Sequence, residues 1–224
     1  MIPWVHLDTA AVPGGEGTLK LMQRGTEFAI FAGPTPLMNS RMSSSEIALA
    51  ELASERLRDV RKPRILIGGY GMGFTLRAAL AGLDKDARIV IAELVPAVLA
   101  WARGPMAALT AGCLDDARVQ VHESDVGAAI AAANSAFDAI LLDVDNGPDG
   151  LSRKANDRLY TRRGLEAARK ALRPGGLLAV WSAAPSDAFT AELRRAGFAV
   201  EVVKARANKG RGVRHVIWAA TKPV

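Results

Sequence analysis

A chain of 224 residues and 23.7 kDa, half of it hydrophobic and 23% charged, is long enough for one packed domain with a short appendage and too apolar to stay disordered. The net charge of +6 is local: residues 151–173 carry +6 and residues 204–214 carry +5, which leaves −5 for the remainder and weakens the case for a nucleic-acid-binding polycation. No run approaches the ~20 apolar residues of a membrane helix, Met1-Ile2-Pro3-Trp4 does not begin a signal peptide, and the single Cys113 excludes an internal disulfide, so a cytoplasmic protein is expected.

In chain order, the opening residues read as an arm that ends in a Pro13-Gly14-Gly15 turn. Leu19 and Leu21 alternate with polar residues, Arg24-Gly25-Thr26 turns the chain into 27–31, and Gly33-Pro34-Thr35-Pro36 breaks it, which predicts one small hairpin. Ser43-Ser44-Ser45-Glu46 marks a helix start, and Ile47, Leu49, Leu52 and Leu57 extend it to about residue 59. From residue 64 apolar strands at 65–67, 88–92, 119–121, 137–142 and 177–181 alternate with helices near 74–81, 95–103, 126–133, 158–172 and 186–196. Strands at 198–203 and 213–220 follow with only a loop between them. This pattern predicts a doubly wound α/β domain over 61–224, its sheet mostly parallel with an antiparallel edge strand, behind a hairpin-and-helix lid over 1–60.

The chemistry gathers at the ends of the first four strands. Ile67-Gly68-Gly69-Tyr70-Gly71-Met72-Gly73 joins strand one to a helix, where glycines let a ligand approach the backbone and a helix start presents amides. Glu93 ends strand two, twenty residues past Gly73, where an acid accepts from ribose hydroxyls in nucleotide-binding sheets. Asp125, in Glu123-Ser124-Asp125-Val126, either receives an adenine amino group or caps the next helix. Strand four delivers Asp143, with Asp145 two residues on, and an acid there can orient or deprotonate a nucleophile or simply turn the loop. His6, His122 and His215 lack metal-ligand spacing, so no metal is expected. Tyr70 and Met72 are pocket or packing residues, and Trp101 and Trp181 read as core.

In this order the motifs resemble the spermidine synthase (polyamine aminopropyltransferase) family, a branch of the class I S-adenosylmethionine-dependent methyltransferase fold, from about residue 37 to 220. Residues 65–77 match its strand, glycine loop and Thr-Leu-Arg helix start, Ala92-Glu93-Leu94 its ribose-binding acid, and Ser124-Asp125-Val126 its adenine contact. Residues 143–148, Leu159-Tyr160 and Leu172-Arg173-Pro174-Gly175-Gly176 match its catalytic loop, Phe-Tyr and Leu-x-Pro-Gly-Gly segments, and residues 37–46 resemble its substrate-covering hairpin. The resemblance implies S-adenosylmethionine or its decarboxylated form as donor. Gly68, Gly69, Tyr70, Gly71, Met72 and Gly73 then hold the donor's tail, Glu93 and Leu94 the ribose, and Ser124, Asp125 and Val126 the adenine. Asp143, with Asp145 and Tyr160, places and activates the acceptor.

The departures lie on the acceptor side. Gly71 stands where the family carries an aspartate for the donor's amine, Val95 replaces a second acid, and the family's Asp-Ser-Ser-Asp becomes Asp143-Val144-Asp145-Asn146. Arg153, Lys154, Arg158, Lys204, Arg206, Lys209 and Arg211 fall in loops expected at the ligand edge. The reading is therefore a transferase of this family, with methyl transfer from S-adenosylmethionine to a small anionic acceptor placed first. Aminopropyl transfer from decarboxylated S-adenosylmethionine is the alternative, and a non-catalytic adenosyl-binding protein or a nucleic-acid modifier stand further back. A homodimer is expected over a family-style tetramer, and no membrane partner is expected.

Overall fold

The computed structural model describes residues 2–15, 17–144, 157–208 and 211–224, with side chains for all of these except 205–208 and 211–214. Its N-terminal part is a four-stranded antiparallel sheet in the order β1 (Val5–Ala11), β2 (Thr18–Arg24), β3 (Glu27–Ala32) and β4 (Thr35–Asn39). This corrects the expectation of an arm and a single hairpin. Residues of the arm pair with β2 from Val5↔Gln23 to Ala11↔Thr18, and the Thr35-Pro36 breaker opens β4. Strand β1 escapes a pattern-based reading because its apolar alternation is confined to Val5 and Leu7, and nearly all its side chains are exposed. Pro36 is tolerated because β4 is an edge strand, and the ladder slips between Ile30 and Phe31 on its partner.

Helix α1 (Ser44–Arg56) leads into the second layer, which runs β5 (Arg64–Gly68), α2 (Phe74–Gly82), β6 (Arg88–Glu93), α3 (Pro96–Arg103), α4 (Ala107–Thr110) and β7 (Val119–Glu123). It continues through α5 (Val126–Ala132), β8 (Phe137–Leu142), α6 (Asp157–Tyr160), α7 (Arg162–Ala171), β9 (Leu172–Ser182), α8 (Asp187–Arg195), β10 (Ala199–Asn208) and β11 (Arg211–Thr221). The seven strands order as β10-β11-β9-β8-β5-β6-β7. Strands β5 to β9 are mutually parallel, and β11 is antiparallel to both its neighbours. The antiparallel strand thus lies one place in from the edge, because β11 returns between β10 and β9. The helix expected over 158–172 is two: Thr161 breaks it and caps α7 by accepting from the Gly164 amide at 3.2 Å.

Alternation along each strand divides the core. Ile65, Ile67, Ile89, Ile91, Ala139 and Leu141 face one side with α1, α2 and α3, and Leu66, Val90, Ile140, Leu142, Leu178 and Trp218 face the other with α5, α7 and α8. Covering both faces is why β8 is buried at every position. Leu21, Phe28 and Ile30 of the small sheet join the first of these clusters, so the N-terminal sheet packs onto the same core as α1 to α3. Buried Trp101 of α3 reaches across and donates from Nε1 to Asp8 Oδ2 of β1 at 2.6 Å. The order of strands reverses direction between β5 and β8, and the crevice at the carboxyl ends of these two strands is where open α/β sheets bind ligands.

The Trp101–Asp8 bond ties the two sheets together, so Trp101→Phe, which removes the bond and part of the buried ring, should cost at least about 1 kcal/mol and lower Tm by ~2–4 °C or more. Hydrogen exchange should speed up first in β1, and an unchanged melt with unchanged β1 protection would contradict this anchoring role.

Candidate active site

At the carboxyl ends of β5, β6, β7 and β8 lies a cavity of about 460 Å³, a size suited to a nucleoside-bearing ligand. One wall is Gly69, Gly71, Glu93, Leu94, Ser124, Asp125, Val126 and Asp143, so most of the residues expected to bind a donor do come together. The opposite wall is the N-terminal sheet, through residues such as Leu19, Ile30, Leu37 and Met38. A second cavity of about 80 Å³ adjoins it and shares Leu37, Met38, Gly71 and Asp143 with it. Glu46, Tyr70, Met72, Phe74 and Trp181 complete the small cavity.

The glycine loop is fixed from below. Gly69 donates to the Ala92 carbonyl at 2.9 Å, and Tyr70 donates its amide to Glu93 Oε2 at 2.8 Å. Gly68 sits behind the cavity, where a Cβ would fall 2.9 Å from Val126 Cγ2, so the strand and α5 meet only because no side chain intervenes. Gly71 has φ +56°, and a Cβ there would meet both Sδ and Cε of Met38 at 3.0 Å. Met38 therefore occupies the space into which a longer residue at 71 would project. Gly73 caps the start of α2. The Tyr70 ring is buried, with its hydroxyl 3.4 Å from Cys113 Sγ, and burial pushes its pKa up.

Glu93 is buried, and its two oxygens accept from the amides of Tyr70 and Val95, each at 2.8 Å. Burial still pushes its carboxyl above the ordinary range, against the pull of these amides. Asp125 caps α5 by accepting from the Ala128 amide at 3.0 Å while lining the large cavity. The two roles weighed for Asp125 are thus compatible in one side chain.

Asp143 stands where the two cavities meet. Its Oδ2 accepts from Thr75 Oγ1, in the first turn of α2, at 2.8 Å. Burial pushes its pKa up, and the Thr75 bond opposes that. Beside it is Glu46, whose pKa is pushed up to about 7 by burial first and by the charge of Asp143 second. Glu46 accepts from Ser45 Oγ at 2.8 Å, and the Ser43 side chain makes no capping bond. From sequence Glu46 marks a helix start and the end of a segment that resembles a substrate-covering hairpin, with no role of its own in the site. Its signal was topological: a helix that feeds a parallel strand begins at the strands' carboxyl edge, so an acid in its first turn reaches the site.

Other expectations fare differently. Tyr160 is buried edge-on to Phe189 and donates its hydroxyl to the Val144 carbonyl at 3.3 Å, next to the chain that leaves β8. Trp101 is core as expected, whereas Trp181 lines the small cavity. His122 is exposed at the surface. Asp145, Arg153, Lys154 and Lys209 lie outside the described residues, as do the side chains of Arg206 and Arg211. Arg158 and Lys204 are exposed, and no Lys or Arg is among the described residues that line either cavity. The basic rim expected from sequence is therefore not what the described walls present: they carry Glu46, Glu93, Asp125 and Asp143.

The Glu46 shift has a sign that a melt can read. A carboxyl whose pKa rises on folding from 4.5 to about 7 favours the fold fully below the lower value, and that contribution is lost as pH climbs through the higher one. Glu46→Gln has no such proton to lose, so its Tm advantage over the parent should grow between about pH 5 and about pH 8. A difference that stays constant across that window would contradict the shift.

Residues 48–187 match the spermine/spermidine synthase domain, more than half of the chain. The polyamine aminopropyltransferase of Mycobacterium tuberculosis is 36% identical over 149 residues, which cover 61% of this chain and 27% of that protein. Polyamine aminopropyltransferase 2 of Pseudomonas aeruginosa is 33% identical over 135 residues, 58% of this chain and 35% of that protein. The chain thus matches only about a quarter to a third of the length of these relatives. Spermidine synthase from Thermotoga maritima superposes with a TM-score of 0.77 at 17% identity, over 98% of this chain and 73% of that one. A spermidine synthase in complex with the transition-state analogue AdoDATO gives 0.75 at the same identity and coverage. At such identity the structural likeness carries the fold, and the sequence match carries the family: the chain belongs to the spermine/spermidine synthase domain family.

Proposed function

We propose that this protein is a group transferase that takes decarboxylated S-adenosylmethionine as donor and a small amine as acceptor, an aminopropyltransferase. This reverses the order of the two reactions weighed from sequence, in which methyl transfer to an anionic acceptor came first. The curated relatives are named for aminopropyl transfer, and the described site walls are acidic. The single observation that carries the reading is the line of carboxyls from Asp125 and Glu93 to Asp143, running from the nucleoside-sized cavity to its junction with a smaller one. An anionic acceptor meets repulsion there; an ammonium is attracted.

The residues fit an adenosyl donor. Asp125 and Ser124 suit the adenine end, Glu93 the ribose hydroxyls, and Gly69 and Gly71 give backbone access towards the arm. Glu93 lines the large cavity with its carboxylate held by surrounding backbone amides, which fixes its orientation towards a ligand. When bound, a sulfonium donor supplies an electrophilic carbon next to a leaving thioether. What the chain adds is placement and a proton acceptor. Thr75 donates to one oxygen of Asp143, which orients the carboxylate at the junction of the two cavities, where the amine ends of donor and acceptor would meet it. Burial raises the pKa of Asp143, so its carboxylate is a better base near neutral pH than an exposed aspartate.

Incubation with decarboxylated S-adenosylmethionine and a short diamine should give an aminopropylated amine by mass spectrometry. Asp143→Asn should cut turnover at saturating donor by ~10²-fold or more, well beyond any loss of donor affinity. Methylated product from intact S-adenosylmethionine would return the methyl-transfer reading, and donor binding without any product would favour the non-catalytic one.

A further inference from the structure

The small cavity joins two carboxyls to an aromatic lining. Glu46 and Asp143 face it together with Tyr70, Phe74 and Trp181, and the remaining lining is Leu37, Met38, Gly71 and Met72. Two neighbouring acids in such a wall are costly unless a cation arrives, and aromatic rings favour the same kind of guest. At about 80 Å³ the cavity admits a short arm and not a second nucleoside. It adjoins the larger cavity through Leu37, Met38, Gly71 and Asp143, so the arm of a donor seated in the larger one points towards it. The glycine loop itself adds no acid here, because Met38 closes over Gly71.

We propose that Glu46 is a specificity-determining residue: with Asp143 it receives the terminal ammonium of the donor's arm in the small cavity, and its charge turns away an arm that bears a carboxylate. The inference rests on the adenosyl-donor reading above. The matched domain begins at residue 48, so Glu46 lies just outside the segment that carries the family assignment. Helix α1 fixes it in place: Leu49, Ala50 and Ala53 of the same helix are buried in the core, which holds the first turn against β8 and β9. Glu46→Gln keeps the shape and one acceptor oxygen for Ser45, exchanges the other oxygen for a donor, and removes the charge.

Calorimetry with three ligands separates the contributions: decarboxylated S-adenosylmethionine, intact S-adenosylmethionine, and methylthioadenosine, which has no charged arm. The parent protein should bind the decarboxylated donor most tightly. Glu46→Gln should weaken that binding by roughly tenfold or more, the worth of one charge-assisted contact, while methylthioadenosine stays within about twofold. Glu46→Asp should recover part of the loss, which a merely structural role would not produce. If Glu46→Gln weakens all three ligands alike, or none of them, the Glu46 assignment is overturned and the donor reading stands. If the parent binds none of the three nucleosides, both fall.

Discussion

Two carboxyl groups set side by side in a protein wall, with no described cation between them, are the constraint around which this site is organised. Glu46 and Asp143 repel each other when both are ionised, and burial adds to the cost. The local answer is a set of hydroxyls: Thr75 donates to Asp143 and Ser45 to Glu46. These bonds hold the geometry and do not neutralise the charge. A protein keeps such an arrangement in place when something that arrives from solution completes it, and an ammonium is the group that fits two acids among aromatic rings.

The rest of the fold places the two acids. Parallel pairing of β5 with both β6 and β8 puts the reversal of strand order at Gly68, so the glycine loop and Asp143 share one crevice. Helix α1 runs back along the sheet and delivers Glu46 at its first turn. The N-terminal sheet closes the crevice from above, anchored by the Trp101–Asp8 bond and by Leu21, Phe28 and Ile30 in the shared core. Met38 of β4 then seals the space over Gly71. The large cavity is in this way built by both sheets, and neither alone encloses it.

The central sheet was legible because burial on both faces writes itself as continuous apolar runs, as at 137–142, separated by helical segments with clear caps. Glu93 and Asp143 were legible because the end of a parallel strand is a fixed address. The N-terminal sheet was read only in part, since β1 packs one side of a two-sided polar ribbon and β4 carries a proline that an edge strand tolerates. Glu46 was invisible to local rules for a different reason. Ser-x-x-Glu before an apolar run is a helix-start signal whatever else the acid does, and its second role depends on which edge of the sheet the helix starts from. Charge was the least informative signal: no basic side chain is among the described residues that line the cavities, and Arg153, Lys154, Lys209 and the side chains of Arg206 and Arg211 lie outside the described residues.

The most direct test of this account is the proton balance of donor binding near neutral pH. With Glu46 pushed up to about 7, the empty site holds part of a proton on the acid pair, and an incoming ammonium should displace it. Calorimetric titration of the parent protein with decarboxylated S-adenosylmethionine, in buffers of different ionisation enthalpy, should therefore show net proton release. Binding with no proton exchange, or with uptake, would contradict the claim that the carboxyl pair receives the donor's cation.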